Sequence, residues 1–198
     1  MYLKKTNKYL IFSIFLLLCF FNKNSIALTD TGHIKADILK YIDSIEEFSA
    51  KFIQTNGLTI EEGKLFLKNK RIKIQYEIPS KIDIIIAKNK AMYFNRDLQE
   101  VEYFNPKNSI ANHFYMIFFN KTFFDNAKFQ EKNGYVYIEK ETSLNNELIK
   151  VEIFIEQKPI NIRKLQVTNS ETTLTFSIMD TDLNPNIDNK FFSMINPI

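Results

Sequence analysis

One cysteine in 198 residues, Cys19, removes most thiol chemistry from consideration at the outset. It lies inside an apolar run near the N-terminus, so an exported chain would keep neither a disulfide nor a reactive thiol. The residue before it is Leu18, where a lipoprotein signal needs a small residue, and a lipidated cysteine is not expected. Two histidines, His33 and His113, stand far apart without neighbouring ligand spacing, which argues against a metal site and places both on the surface. No phosphate-binding loop, nucleophile elbow or compact triad is present. The acidic pairs Glu46-Glu47 and Glu61-Glu62 read as solvated surface rather than as convergent acid-base groups. Four glycines and five prolines leave no linker of low complexity, and no internal repeat is visible. Together these absences exclude the common enzyme classes and predict no cofactor.

What is present begins with a leader. Lys4, Lys5 and Lys8 precede an apolar run from Tyr9 to Phe21, followed by Ser25-Ile26-Ala27. This is the pattern of a signal peptide over residues 1–27, cleaved after Ala27. A retained anchor is the rival reading, but the run falls short of the roughly 20 residues that span a bilayer. The leader holds Lys4, Lys5, Lys8 and Lys23 and no acid, so the balance of 26 basic to 23 acidic residues becomes 22 to 23 beyond it. The charge is interspersed in both signs, which excludes a nucleic-acid footprint. Residues 28–198 are of a size for a single domain, located in the periplasm.

Ile34, Ile38, Ile42 and Ile45 recur at helical spacing with charges between them, predicting an amphipathic helix over 34–47. The period then changes from 3.6 to 2 at Phe48, Ala50, Phe52 and Gln54. Strands are expected at 63–67, 71–77, 82–86, 92–94 and 101–103, separated by short turns that force antiparallel neighbours. Asn105-Pro106 opens a second, short helix with Ile110, Phe114, Ile117 and Phe118 on one stripe. Further strands are expected at 124–129, 135–140 across an Asn133-Gly134 turn, 149–155, 162–167 and 174–178. The sum is a mainly β, α+β fold: an incomplete antiparallel barrel, a strongly curved sheet of about ten to eleven strands with the two helices covering its concave face.

Five segments carry a family resemblance. They are Phe48-Ser49-Ala50-Lys51-Phe52-Ile53-Gln54, Gly63-Lys64-Leu65-Phe66-Leu67, Arg71 to Tyr76 leading to Pro79, the hairpin Ala91–Asn95 with Glu100–Tyr103, and the ending Phe191-Phe192-Ser193-Met194-Ile195-Asn196-Pro197. In this order and spacing the chain resembles the LolA family of periplasmic lipoprotein carriers. The resemblance implies a chaperone that holds acyl chains in an apolar cavity and shuttles lipoproteins from the inner to the outer membrane. Its implied partners are acylated lipoproteins, an inner-membrane lipoprotein-releasing ABC transporter complex, and an outer-membrane acceptor; no nucleic acid is implied, and a monomer is expected. The alternative is a lipid-binding sensor or adaptor domain of the same fold that regulates a membrane protein.

The lining expected for such a cavity is Phe52, Leu65, Leu67, Ile72, Ile74, Tyr76, Ile84, Ile86, Met92 and Phe94. Singly each would be ordinary core; only the face as a group makes a lipid wall. Ile38, Ile42, Ile110, Phe114, Ile117 and Phe118 would form the lid, and Phe123 and Phe124 read as packing or as a partner patch. The family carries an Arg-Pro pair after the strand equivalent to Gly63–Leu67, with the Arg tying the lid shut. Here the stretch is Lys68-Asn69-Lys70-Arg71, without proline, so no position matches that Arg, and Arg71, Lys68 or Lys70 is the candidate lid-locking cation.

Overall fold

The computed structural model describes residues 31–198; the expected leader, residues 1–27, lies outside the described residues. Helix α1 spans Thr31–Asp43 and buries Ile38 and Ile42. It stops earlier than its periodicity suggests. The Ser44 amide donates to the Lys40 and Tyr41 carbonyls and its hydroxyl also donates to Tyr41, closing the last turn and leaving Ile45 outside the helix.

Eleven strands follow: β1 (Glu47–Thr55), β2 (Ile60–Lys68), β3 (Arg71–Ile78), β4 (Ile82–Ile86), β5 (Ala91–Asn95), β6 (Glu100–Phe104), β7 (Lys128–Lys132), β8 (Tyr135–Leu144), β9 (Glu147–Gln157), β10 (Ile160–Thr168) and β11 (Thr173–Asp182). Helix α2 (Ile110–Phe119) lies between β6 and β7. The strands form one antiparallel sheet in the order β6-β5-β4-β3-β2-β1-β11-β10-β9-β8-β7. Two meanders are thus joined by a single long-range pairing, β1 with β11. The edges are the five-residue strands β6 and β7, whose exposed Glu100, Glu102, Lys128 and Lys132 deter strand addition.

With few glycines, the tight turns are built on asparagine. Asn69-Lys70, Asn133-Gly134 and Asn145-Asn146 each connect two strands with both residues at positive φ, the geometry that matches the twist of paired strands. Asparagine tolerates this region because its short amide compensates locally. At the wider turns Asn56 and Asn169 each accept from two backbone amides.

The two faces of the sheet are covered differently. One, the helix face, carries the main core, in which Phe48, Phe52, Leu65, Leu67, Ile72, Ile74 and Ile86 meet α1 and α2 and continue through Phe176 and Ile178 to Val151, Ile153 and Ile155. The other, over β2 to β6, is covered by the C-terminal segment, where Ile187 and Phe192 pack on Ile85 and Met92. Beneath this tail Lys73 pairs with Asp83 at 3.0 Å, and Phe191 lies 4.0 Å from the Lys73 ammonium.

The strand expected at 124–129 begins only at Lys128. Residues Lys121–Phe124 instead form a 3-10 turn capped by the Asn120 side chain, and Phe123 packs edge-on against Phe124 at 5.3 Å with both rings buried. Buried aromatic packing has overridden strand propensity here.

Candidate functional site

The wall is built around Phe52. Its partner across the β1–β2 ladder is Gly63, and a Cβ there would stand 2.8 Å from the Phe52 ring and 2.2 Å from the Gln75 carbonyl oxygen. Only glycine lets the ring lie flat over the neighbouring strand. The ring then meets Tyr76 edge-on at 5.2 Å and Phe176 at 5.7 Å. The Tyr76 hydroxyl donates to Gln54 at 2.7 Å, and Gln54 in turn donates to Glu61, so the one polar group in this aromatic cluster is satisfied. Burial, with the Glu61 carboxylate adding to it, raises the phenol above its ordinary range.

Phe52, Leu65, Leu67, Ile72, Ile74, Tyr76, Ile84 and Ile86 share this face. Met92 and Phe94 do not, which corrects their expected place. Register decides it: Ile84 pairs with Tyr93 and Ile86 with Ala91, whereas Met92 opposes Ile85 and belongs with Phe94 to the cluster under the C-terminal segment. The wall also extends beyond the first meander. Phe176, Ile178, Val136 and Ile138 are equally buried in it, and the alternation of Val151, Ile153 and Ile155 is the signal that could have revealed its far half.

Helix α2 closes the wall. Its buried residues are His113, Phe114, Ile117 and Phe118. Phe114 stands edge-on to Phe176 at 4.7 Å, and Phe118 lies 6.2 Å from Phe48. The space left among Phe52, Leu65, Ile74, Phe114, Phe176 and Ile178 is about 10 Å³, room for about one water and no more. Among the described residues, no hydrogen bond or ion pair joins the side chains of α2 to a strand; apolar contact holds it there. Helix α1 contributes Ile38 and Ile42 to the same core, and Lys121, just after α2, pairs with Asp43 at the end of α1.

Two expectations about α2 are corrected. Ile110 is exposed, because as the first helical residue it tilts toward an end with no turn beneath it. His113, expected at the surface, is 4% exposed, and burial lowers its pKa below the ordinary 6.5.

Neither Lys68 nor Arg71 pairs with α1 or α2. Lys68 pairs with Glu47 at 2.8 Å and donates to the Ile187 carbonyl at 2.5 Å; Arg71 donates to the Phe192 carbonyl at 3.4 Å. The reason is strand parity, since Leu67 and Ile72 point to the helix face and Lys68 and Arg71 therefore point to the other. These cations clamp the C-terminal segment, assisted by Tyr103 donating to the Met194 carbonyl at 3.0 Å. Among the described residues no group of His, Cys, Asp and Glu could hold a metal ion.

Among the described residues, the fold is an open antiparallel sheet whose apolar face is covered by an aromatic helix. The model of the family described as "outer membrane lipoprotein carrier protein LolA" matches residues 43–195, and the chain belongs to that family. The family is one of periplasmic carriers, not of enzymes. A search of curated proteins gives no match. Among solved structures, the chain resembles an uncharacterized conserved protein from Thermus thermophilus, with TM-score 0.51, 5% identity, and coverage of 82% of this chain and 93% of that one. It also resembles the MucA/MucB complex of Pseudomonas aeruginosa (TM-score 0.44, 7% identity, 79% and 60% covered) and LprF from Mycobacterium bovis (0.38, 7%, 79% and 95%).

Proposed function

We propose that the protein is a periplasmic chaperone that binds the acyl chains of lipoproteins between its wall and α2 and shuttles them from the inner to the outer membrane. One observation carries this reading: among the described residues, α2 is held on the wall by apolar contact. Burying Phe114, Ile117 and Phe118 stabilises the closed state by about 1.5–3 kcal/mol each, and acyl methylenes contribute about 0.8 kcal/mol each, so roughly six to eleven methylenes offset the whole lid contact. Acyl chains and lid side chains then compete for one surface at nearly equal free energy, which suits a carrier that must both load and unload without an energy source of its own.

In this reading residues 28–198 form one carrier domain after removal of the leader, the sheet bends round the lid as an incomplete barrel, and Phe52, Leu65, Leu67, Ile72, Ile74, Tyr76, Ile84 and Ile86 touch the cargo. Loading would come from the inner-membrane lipoprotein-releasing ABC transporter complex, and unloading would be to an outer-membrane acceptor. The test is titration of the purified protein with a fluorescent fatty-acyl probe, together with mass analysis of acylated lipoproteins that co-purify. Saturable binding is expected, weakened by Ile74→Glu in protein whose circular dichroism is unchanged. Absence of any acyl affinity would overturn the proposal.

A further inference from the structure

The end of the sheet beside α2 differs in charge from the opposite end. The turns between β2 and β3 and between β4 and β5, and the segment after β6, bring Lys70, Lys88 and Lys107 to one groove of about 390 Å³ floored by Tyr115, Met116 and Phe119. All three lysines are exposed, and among the described residues none has an acidic partner. No carboxylate of the described residues lines the groove. Lys70 is the second residue of the Asn69-Lys70 turn, at φ 55, so a tight hairpin fixes the base of its side chain. At the other end of the strands stand Glu61, Glu62, Asp97, Glu100, Glu141, Glu147 and Glu171. The cations there are fewer, and Arg96 and Lys150 are paired with Glu77 and Glu152.

We infer that this lysine groove is a docking surface for an anionic phospholipid membrane. Lysine is a compact point charge suited to phosphate rather than to the planar fork of a carboxylate. Lysines that share one groove with a tyrosine and a phenylalanine match the layered polarity of a lipid headgroup region. The acidic far end is repelled by the same surface, so the charge separation along the strands orients the molecule with α2 next to the bilayer. The inference goes beyond acyl carriage: it concerns the outside of the lid, and a protein without acyl affinity could still dock in this way.

Each lysine near an anionic surface contributes about a fivefold gain in partitioning, so three together contribute about a hundredfold. The experiment is co-sedimentation of the purified, cell-processed protein with vesicles of phosphatidylcholine alone or of phosphatidylcholine with phosphatidylglycerol. Binding to the anionic vesicles only is expected, falling as salt is raised. The Lys70→Gln/Lys88→Gln/Lys107→Gln variant should lose about a hundredfold, while Lys81→Gln/Lys150→Gln at the far end should lose nothing. Soluble glycerol phosphate should not displace the vesicles. Equal binding to both vesicle types, an unaffected triple variant, an equal loss at the far end, or displacement by glycerol phosphate would each overturn the inference. Acyl-probe affinity of the triple variant is expected to match wild type, which keeps failure here distinct from failure of the carrier reading.

Discussion

Phe114 of the lid helix meets Phe176 of β11 edge to face, with ring centroids 4.7 Å apart and planes at 78°. This aromatic contact joins the helix between the two meanders to a strand of the pairing that unites them, and little space is left beside it. An edge-to-face pair adds about 0.5–1.5 kcal/mol beyond its area. Helix α2 is therefore packed on the sheet through Phe114 together with Ile117 and Phe118.

Phe114→Ala should lower stability by about 3 kcal/mol while raising acyl-probe affinity, because the void it leaves lies against the wall. Urea unfolding and probe titration on the same preparation check both signs. A variant that loses stability and gains no affinity would show that Phe114 is ordinary core.

Gly63→Ala has no room for its methyl group: the Gln75 carbonyl oxygen stands at 2.2 Å from the Cβ position and the Phe52 ring at 2.8 Å. A loss of about 1–3 kcal/mol is expected from overpacking. Because the closer clash is with backbone, Phe52→Leu should not rescue it. Denaturation midpoints of the single and double variants decide the matter.

His113 gives the fold a pH dependence. Its folded pKa lies below the unfolded value of 6.5, so the unfolded chain binds the extra proton first as pH falls. Its contribution is complete above pH 6.5 and is lost progressively below it, down to the folded pKa, with a slope of at most about 1.4 kcal/mol per pH unit. In His113→Leu the dependence of melting temperature on pH between neutral and mildly acid buffer should flatten.

The tail-covered face depends on charge pairing. Lys73 and Asp83 are each 8% exposed, and Arg96 approaches Asp83 at 3.3 Å. Asp83→Asn strands the buried Lys73, while Arg96 keeps Glu77, and should cost about 3 kcal/mol or more. Lys73→Met/Asp83→Leu should recover most of that loss, since apolar residues of similar volume replace a buried pair at little cost. Equilibrium unfolding in urea distinguishes the two.

How much of this was readable in advance depended on whether polar residues interrupt the apolar ones. In β3, Ile72, Ile74 and Tyr76 alternate with Arg71, Lys73 and Gln75, and the face is legible without a structure. In β5 the run Ala91-Met92-Tyr93-Phe94 is apolar at every position, so alternation is silent there; only pairing with β4 assigns Met92 to one face and Ala91 to the other. The same limit hid the C-terminal segment, whose contacts with Lys68 and Arg71 span about 120 positions of sequence.

The sequence alone therefore determined the local order of elements, because periods of 2 and 3.6 and the asparagine turns act within a few residues of one another. Tertiary structure decided which apolar side chains face the lid, that His113 is buried, and that Lys68 and Arg71 hold the tail instead of the lid. Those outcomes rest on strand register and long-range packing, whose free energies arise only once distant segments share a core.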